Sequence, residues 1–200
     1  MEIISFLKNF INFEKLFLYI FYTILAGFGS FVGWFVLAYN SLVQTRRRAD
    51  EALANVGTQI KRRFDLIPNL TETVKGYAEH ERAVFEKVTE ARSRVAGAQT
   101  VAEYQDAENM MTGLFKSLFA VAENYPNLKA NQNFLQLQRE LAEAENRIQE
   151  ARRVYNETVR ELNVKTESIP FNFVATFFRF KKADFFEITE SEKEVPKVQF

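Results

Sequence analysis

The chain has 200 residues, room for about one folded domain and an anchor, and it carries 26 basic and 26 acidic side chains. Leaving out Lys8, Lys15, Glu2 and Glu14 keeps residues 40–200 balanced as well, so no basic footprint marks a nucleic-acid partner. The lack of cysteine excludes disulfides, thiol nucleophiles, iron–sulfur clusters and Cys-ligated zinc, and the single histidine, His80, excludes a His-rich metal site.

Residues 1–15 read as a short leading segment at the membrane interface. From Leu16 to Leu37 follow 22 residues without a charge, about 33 Å of helix, which matches the hydrocarbon thickness of a bilayer. This defines a transmembrane helix over 16–38. A buried core helix rarely stays apolar on every face for so long, and the exit AYNSLVQTRRR lacks the small-x-small site of a cleaved signal peptide. Tyr19, Tyr22, Trp34 and Tyr39 lie towards the two ends of the span, where amphipathic rings suit the headgroup level. Arg46, Arg47 and Arg48 follow it, against Lys8, Lys15 and the amino terminus before it. The positive-inside bias places the large domain in the cytoplasm by a small margin, with extracytoplasmic placement as the alternative.

Over residues 39–165 the apolar positions alternate steps of three and four, the pattern of helices packed in a bundle. A first stripe runs Leu42, Arg46, Ala49, Leu53, Val56, Ile60. A second runs Ile67, Leu70, Val74, Tyr77, Glu81, Val84, Val88, Ala91, Val95, and a third Tyr104, Ala107, Met111, Leu114, Leu118, Val121, Tyr125. The fourth is a strict heptad of Phe134, Leu141, Ile148, Tyr155 and Leu162, with Leu137, Ala144, Ala151 and Thr158 as companions, which implies a shallow left-handed supercoil. Pro68 marks either a turn or a kink. The stretch 97–103 holds a Gly and a Thr suited to end one helix and cap the next, and Tyr125-Pro126-Asn127 forms a corner. Helices over 41–65, 68–96, 102–124 and 127–165 are predicted, and short connections give an all-α, up-and-down antiparallel four-helix bundle. No Pro or Gly separates Trp34 from Val56, so anchor and first bundle helix are predicted to be continuous, with the domain upright on the membrane.

The tail, 166–200, changes character. PFNFVATFFRFKKADFFE holds seven Phe within sixteen residues, Phe177 and Phe178 among them, beside Arg179, Lys181 and Lys182. Such a segment suits a membrane interface, a lid over the open end of the bundle, or a contact with a neighbouring subunit.

Few residues offer chemistry. His80 and Glu81 point about 100° apart on a helix, and no second His completes a metal site. The acidic pairs Glu140/Glu143 and Glu143/Glu145 lack the concave pocket that would drive their pKa values apart, since a closely packed bundle leaves none. Neither G-x-S-x-G nor a Gly-rich phosphate loop occurs. More telling are Arg46 and Glu81, two charges on apolar seams. If buried they need partners, and they would fix helix register rather than add stability; Glu81→Leu is expected to keep the helical content and change assembly.

The runs Lys61–Leu70 (KRRFDLIPNL), Thr73–Glu81 (TVKGYAEHE), Ala120–Asn131 (AVAENYPNLKAN), Phe134–Leu141 (FLQLQREL), Glu145–Ile148 (ENRI) and Arg152–Asn156 (RRVYN) resemble the LemA family of bacterial membrane proteins, as does the ending Val195–Phe200 (VPKVQF). The likeness singles out Arg62, Arg63, Asp65, Pro68, Asn69, Lys75, Tyr77, His80, Glu123, Tyr125, Pro126, Lys129, Asn131, Glu140, Asn146, Arg152, Tyr155 and Asn156. It implies a single-pass protein of the bacterial inner (cytoplasmic) membrane, with an N-terminal anchor, a helical bundle, no accepted enzymatic activity and no cofactor. Phe64 and the Phe-rich tail are bulkier than the family pattern. The expected partners are the lipid bilayer and further copies of the chain. The expected task is a homo-oligomeric scaffold that organises or shapes the membrane, or alternatively an adaptor holding another membrane protein such as a peptidase or signalling enzyme. No small-molecule substrate is expected.

Overall fold

The computed structural model describes residues 2–77, 95 and 97–187, with residues 2–14 described by their backbone alone. Among the described residues six helices follow in order, namely α1 (Glu2–Asp65), α2 (Ile67–Lys75), α3 (Val101–Glu123), α4 (Pro126–Lys129), α5 (Gln132–Glu167) and α6 (Phe171–Phe177), and no strand. The all-α class and the continuity of anchor and first bundle helix are as the sequence predicts. Beyond Tyr77 the expected second bundle helix lies outside the described residues, and Glu81 and His80 lie there with it.

The chain divides into two compact units, Met1–Gln44 with Lys165–Lys181, and Thr45–Val164 with Lys182–Phe200. In the first, the apolar segment of α1 buries nothing until its last turns. There Ala38 and Leu42 close a small core with Val174 and Ala175 of α6. Helix α6 ends in a Schellman motif: Arg179 takes a left-handed backbone (φ 58), its N–H reaches Thr176 O at 3.2 Å, and Phe180 N–H reaches Ala175 O at 2.9 Å. Glycine usually fills that left-handed position, so an arginine there carries strain.

The second unit is built on the predicted stripes. Every heptad leader of α5 is buried, Phe134, Leu141, Ile148, Tyr155 and Leu162, against Val56 and Ile60 of α1, Ile67, Leu70 and Val74 of α2, and Ala107, Met111, Leu114 and Leu118 of α3. The break at Pro68 is one residue wide. Leu66 keeps helical angles (φ −80, ψ −19), while Pro68 sits in the first turn of α2 and has no N–H to offer the Phe64 carbonyl. Helix α3 opens on the predicted cap, since Thr100 Oγ1 accepts from Glu103 N–H at 3.3 Å and the Glu103 carboxylate accepts from Thr100 N–H at 2.9 Å. Those backbone donors, Gln99 N–H before Thr100 N–H, hold the Glu103 carboxyl below its ordinary value.

The corner at Pro126 differs from the expectation of a helix running from 127. Pro126 starts only the single turn of α4, and α5 begins at Gln132, because Asn131 Oδ1 accepts from Asn133 N–H at 2.8 Å and Phe134 N–H at 3.2 Å and so caps a fresh helix. Where α1 meets α3, Gly57 lets the Tyr104 ring rest on bare backbone. A methyl group at Gly57 would come to 2.7 Å from Tyr104 Cζ.

Candidate functional site

From Leu16 to Val32 the large apolar side chains are 43–71% exposed on all sides of α1, whereas Trp34 and Phe35 are half-buried. Water does not tolerate such a surface, whereas lipid does, and among the described residues α1 alone is long and apolar enough to cross a membrane. Tyr19 and Tyr22 stand on that surface without burial, whereas Trp34 and Tyr39 acquire protein partners. The Trp34 ring meets Phe171 edge-on at 6.3 Å, Phe35 meets Phe177 at 6.1 Å and Phe178 at 5.9 Å, and Tyr39 meets Phe178 at 4.5 Å and Phe180 at 6.0 Å. Half of the Phe-rich tail is thus a ring cluster on the end of the apolar segment. Phe173, Phe177 and Phe178 keep an exposed side, beside the exposed Arg179, Lys181 and Lys182.

Arg46 is not on the seam. Steps of three and four from Leu42 reach Thr45 and Arg46 equally well, and the structure buries Thr45 at 1% exposure, leaving Arg46, Arg47 and Arg48 as an exposed basic band. Among the described residues the charges buried in the second unit are Arg63, Glu108 and Arg152, with the half-buried Glu145 beside them. Arg63 Nη1 is 2.6 Å from a Glu145 carboxylate oxygen, and its guanidinium lies 4.9 Å from the Phe115 ring centre. Arg152 donates to Glu108, with both side chains nearly excluded from solvent. Burial pushes the Glu108 carboxyl above its ordinary value, with the Glu145 charge adding to it, and outweighs the opposite pull of Arg152 and Arg63.

Of these four, Arg63, Glu145 and Arg152 fall in the runs that resemble the family, whereas Glu108 lies in none of them. The signal was present for Glu145 and Arg152: each lies four after one heptad leader and three before the next. Contrary to the expectation of a bundle without a hollow, a cleft of about 410 Å³ opens here, lined by Arg63, Glu108, Phe115, Phe119, Leu141 and Glu145 among others.

Other motif residues shape the backbone. The Tyr77 hydroxyl accepts from Asn131 Nδ2 at 3.0 Å across 54 residues of chain, and Tyr125 precedes the Pro126 turn. Asn69 O accepts from Thr73 Oγ1 at 2.8 Å, and Glu140 accepts from Gln136 at 2.9 Å. Arg62, Asp65, Pro68, Lys75, Glu123, Lys129 and Asn146 are exposed.

On α5, Asn163 and Asn156 each pair with both polar groups of a residue in the extended segment that follows Lys181. Asn163 donates to Ala183 O at 3.0 Å and accepts from Ala183 N–H at 2.9 Å, Asn156 does the same to Phe186 at 3.0 and 2.9 Å, and the Tyr155 hydroxyl donates to Asp184 O at 2.9 Å. Burial raises the Tyr155 pKa, with the Asp184 and Asp50 charges adding to it, so its hydroxyl keeps the proton it donates.

A helix long and apolar enough to cross a membrane, continuous with helices that hold paired charges, defines an all-helical class of protein among the described residues. The profile of the LemA family matches residues 52–200, and the chain belongs to that family. It is similar to "Protein LemA" of Metamycoplasma hominis, 25% identical over 184 residues that cover 90% of this chain and 82% of that protein. It is also similar to "Magnetosome protein MamQ 2" of Paramagnetospirillum magneticum, 23% identical over 79% of this chain and 68% of that one, and to "Magnetosome protein MamQ" of Magnetospirillum gryphiswaldense, 22% identical over 78% and 67%.

Proposed function

We propose that the chain is a non-enzymatic scaffold that spans the bacterial inner membrane once, self-assembles into a homo-oligomer and organises or shapes the bilayer around it. The observation that carries this reading is helix α1, whose side chains are exposed on every side from Leu16 to Gly33, about 27 Å of helix and close to the hydrocarbon thickness of a bilayer. Within it Gly29 and Gly33 are spaced four apart, and a methyl group added to either would touch nothing within 4 Å, which leaves room for a neighbouring helix to approach closely. The interior charges engage one another, which supports a structural rather than a catalytic use. The relatives named as magnetosome proteins are assigned by name to a cellular structure rather than to a reaction, which also favours a non-enzymatic task. The exposed band Arg46–Arg48 favours a cytoplasmic position for the residues that follow the span.

The test is the particle mass in mild detergent, by light scattering at rising protein concentration. A defined oligomer that weakens in Gly29→Leu/Gly33→Leu supports the reading, and a strict monomer throughout overturns it. Because the chain has no cysteine, a single Ser41→Cys and its labelling by a membrane-impermeant reagent report the side of the membrane directly.

A further inference from the structure

The seat on α5 reads main chain. Five hydrogen bonds to the segment Lys182–Glu187 go to backbone N–H or C=O groups. Asparagine is suited to this, since its amide donates and accepts side by side and replaces the partner that a neighbouring strand would supply. The two asparagines are seven apart on one face of α5, and the residues they hold are three apart, as an extended chain laid along a helix requires.

A single side chain of the segment is deeply buried. Phe186 is 3% exposed, edge-on to Tyr155 at 5.3 Å with the Arg152 guanidinium 5.5 Å from its ring centre, whereas Asp184, Phe185 and Glu187 face outward. The segment begins where one compact unit gives way to the other, between Lys181 and Lys182. A unit boundary is where few contacts cross and a chain most readily changes direction.

We infer that Lys182–Glu187 is an exchangeable strap, and that the Asn156, Asn163 and Tyr155 seat of one copy receives this segment from a second copy. The inference rests on the self-assembly proposed above and names the contact that joins the copies. Exchange makes the same hydrogen bonds in trans as in cis, so its cost is confined to the connecting residues. Confinement to one bilayer raises the local concentration of neighbouring tails, which favours the trans arrangement.

The test uses two tagged full-length forms produced together. The first carries Asn156→Ala and Asn163→Ala, so that its own seat is broken, and a photo-crosslinking phenylalanine analogue in place of the outward-facing Phe185. The second has the native seat and no crosslinker. Irradiation is expected to join residue 185 of the first form to α5 of the second, and the yield is expected to fall about tenfold or more when the second form also carries both alanines. Three outcomes overturn the inference: no crosslink between forms that still co-purify, a crosslink that maps away from α5, and a crosslink indifferent to the second form's asparagines. In each of these the scaffold reading stands. Failure of the forms to co-purify at all sinks that reading as well.

Discussion

Arg152 and Arg153 are neighbours in the chain and opposites in the structure. About 100° apart on α5, one faces Glu108 inside the second unit, and the other faces Glu150 and Glu157 in water at 2.6 and 2.8 Å. The outer arginine has two carboxylate partners, and these raise its pKa, the Glu150 hydrogen bond first. It nevertheless matters less, because solvent and salt screen a pair that is already hydrated. The inner pair has lost its water and has only its partners to replace it. What a charge does for a fold is therefore decided by the medium around the pair.

The contrast can be broken most forcefully by stranding one inner charge. Arg152→Met leaves the buried Glu108 carboxylate without its hydrogen-bonding partner and with only the pull of Arg63, and is expected to lower stability by about 3–5 kcal/mol in denaturant unfolding followed by circular dichroism. Removing both charges, as Arg152→Met with Glu108→Leu, is expected to recover most of that loss. A double variant as weak as the single one would show that the pair does more than neutralise itself.

Acidity sharpens the comparison next. The Glu108 carboxyl is raised in the folded state from an ordinary value of 4.5, so between 4.5 and the raised value the folded chain binds more proton than the unfolded one. Its contribution is therefore fullest below 4.5 and is lost as pH climbs through the folded value. Unfolding midpoints across that window, wild type against Glu108→Gln, are expected to diverge in this sense. The exposed Glu150 is held below its ordinary value, chiefly by its hydrogen bond from Arg153, so its contribution runs the other way and is lost as pH falls.

A third arginine gives a smaller effect through the backbone alone. Arg179→Gly relieves the left-handed position after α6 and is expected to stabilise that helix end by about 1 kcal/mol, read as slower amide exchange at Phe180. Smallest of all, Arg153→Ala is expected to leave the melting temperature within experimental error at physiological salt. A clear drop would show that the outer ladder has more than surface worth.

Periodicity and caps were legible from sequence. The heptad of α5 names its own buried residues, and Thr100 with Glu103 spells a helix start, because both depend on neighbours within one or two turns. Phase was less legible. Leu42 is followed at three by Thr45 and at four by Arg46, and the stripe alone does not choose between them; the packed structure does. The seam charges were half legible, since Glu145 and Arg152 stand in step with the heptad leaders, whereas Glu108 acquires its meaning only from Arg152, 44 residues away. Least legible was the asparagine seat, whose partners lie 20 and 30 residues downstream and leave no periodic trace.

The bare backbone at Gly57 has a mechanical consequence. The Tyr104 ring drops into a notch on α1 that exists for one residue only, and sliding α1 past α3 by a turn, about 5.4 Å, would drive that ring against Leu53 or Lys61, each carrying a Cβ where the notch has none. The contact works as a detent. Shear between these two helices is blocked in small steps, so rearrangement there requires the ring to lift clear first.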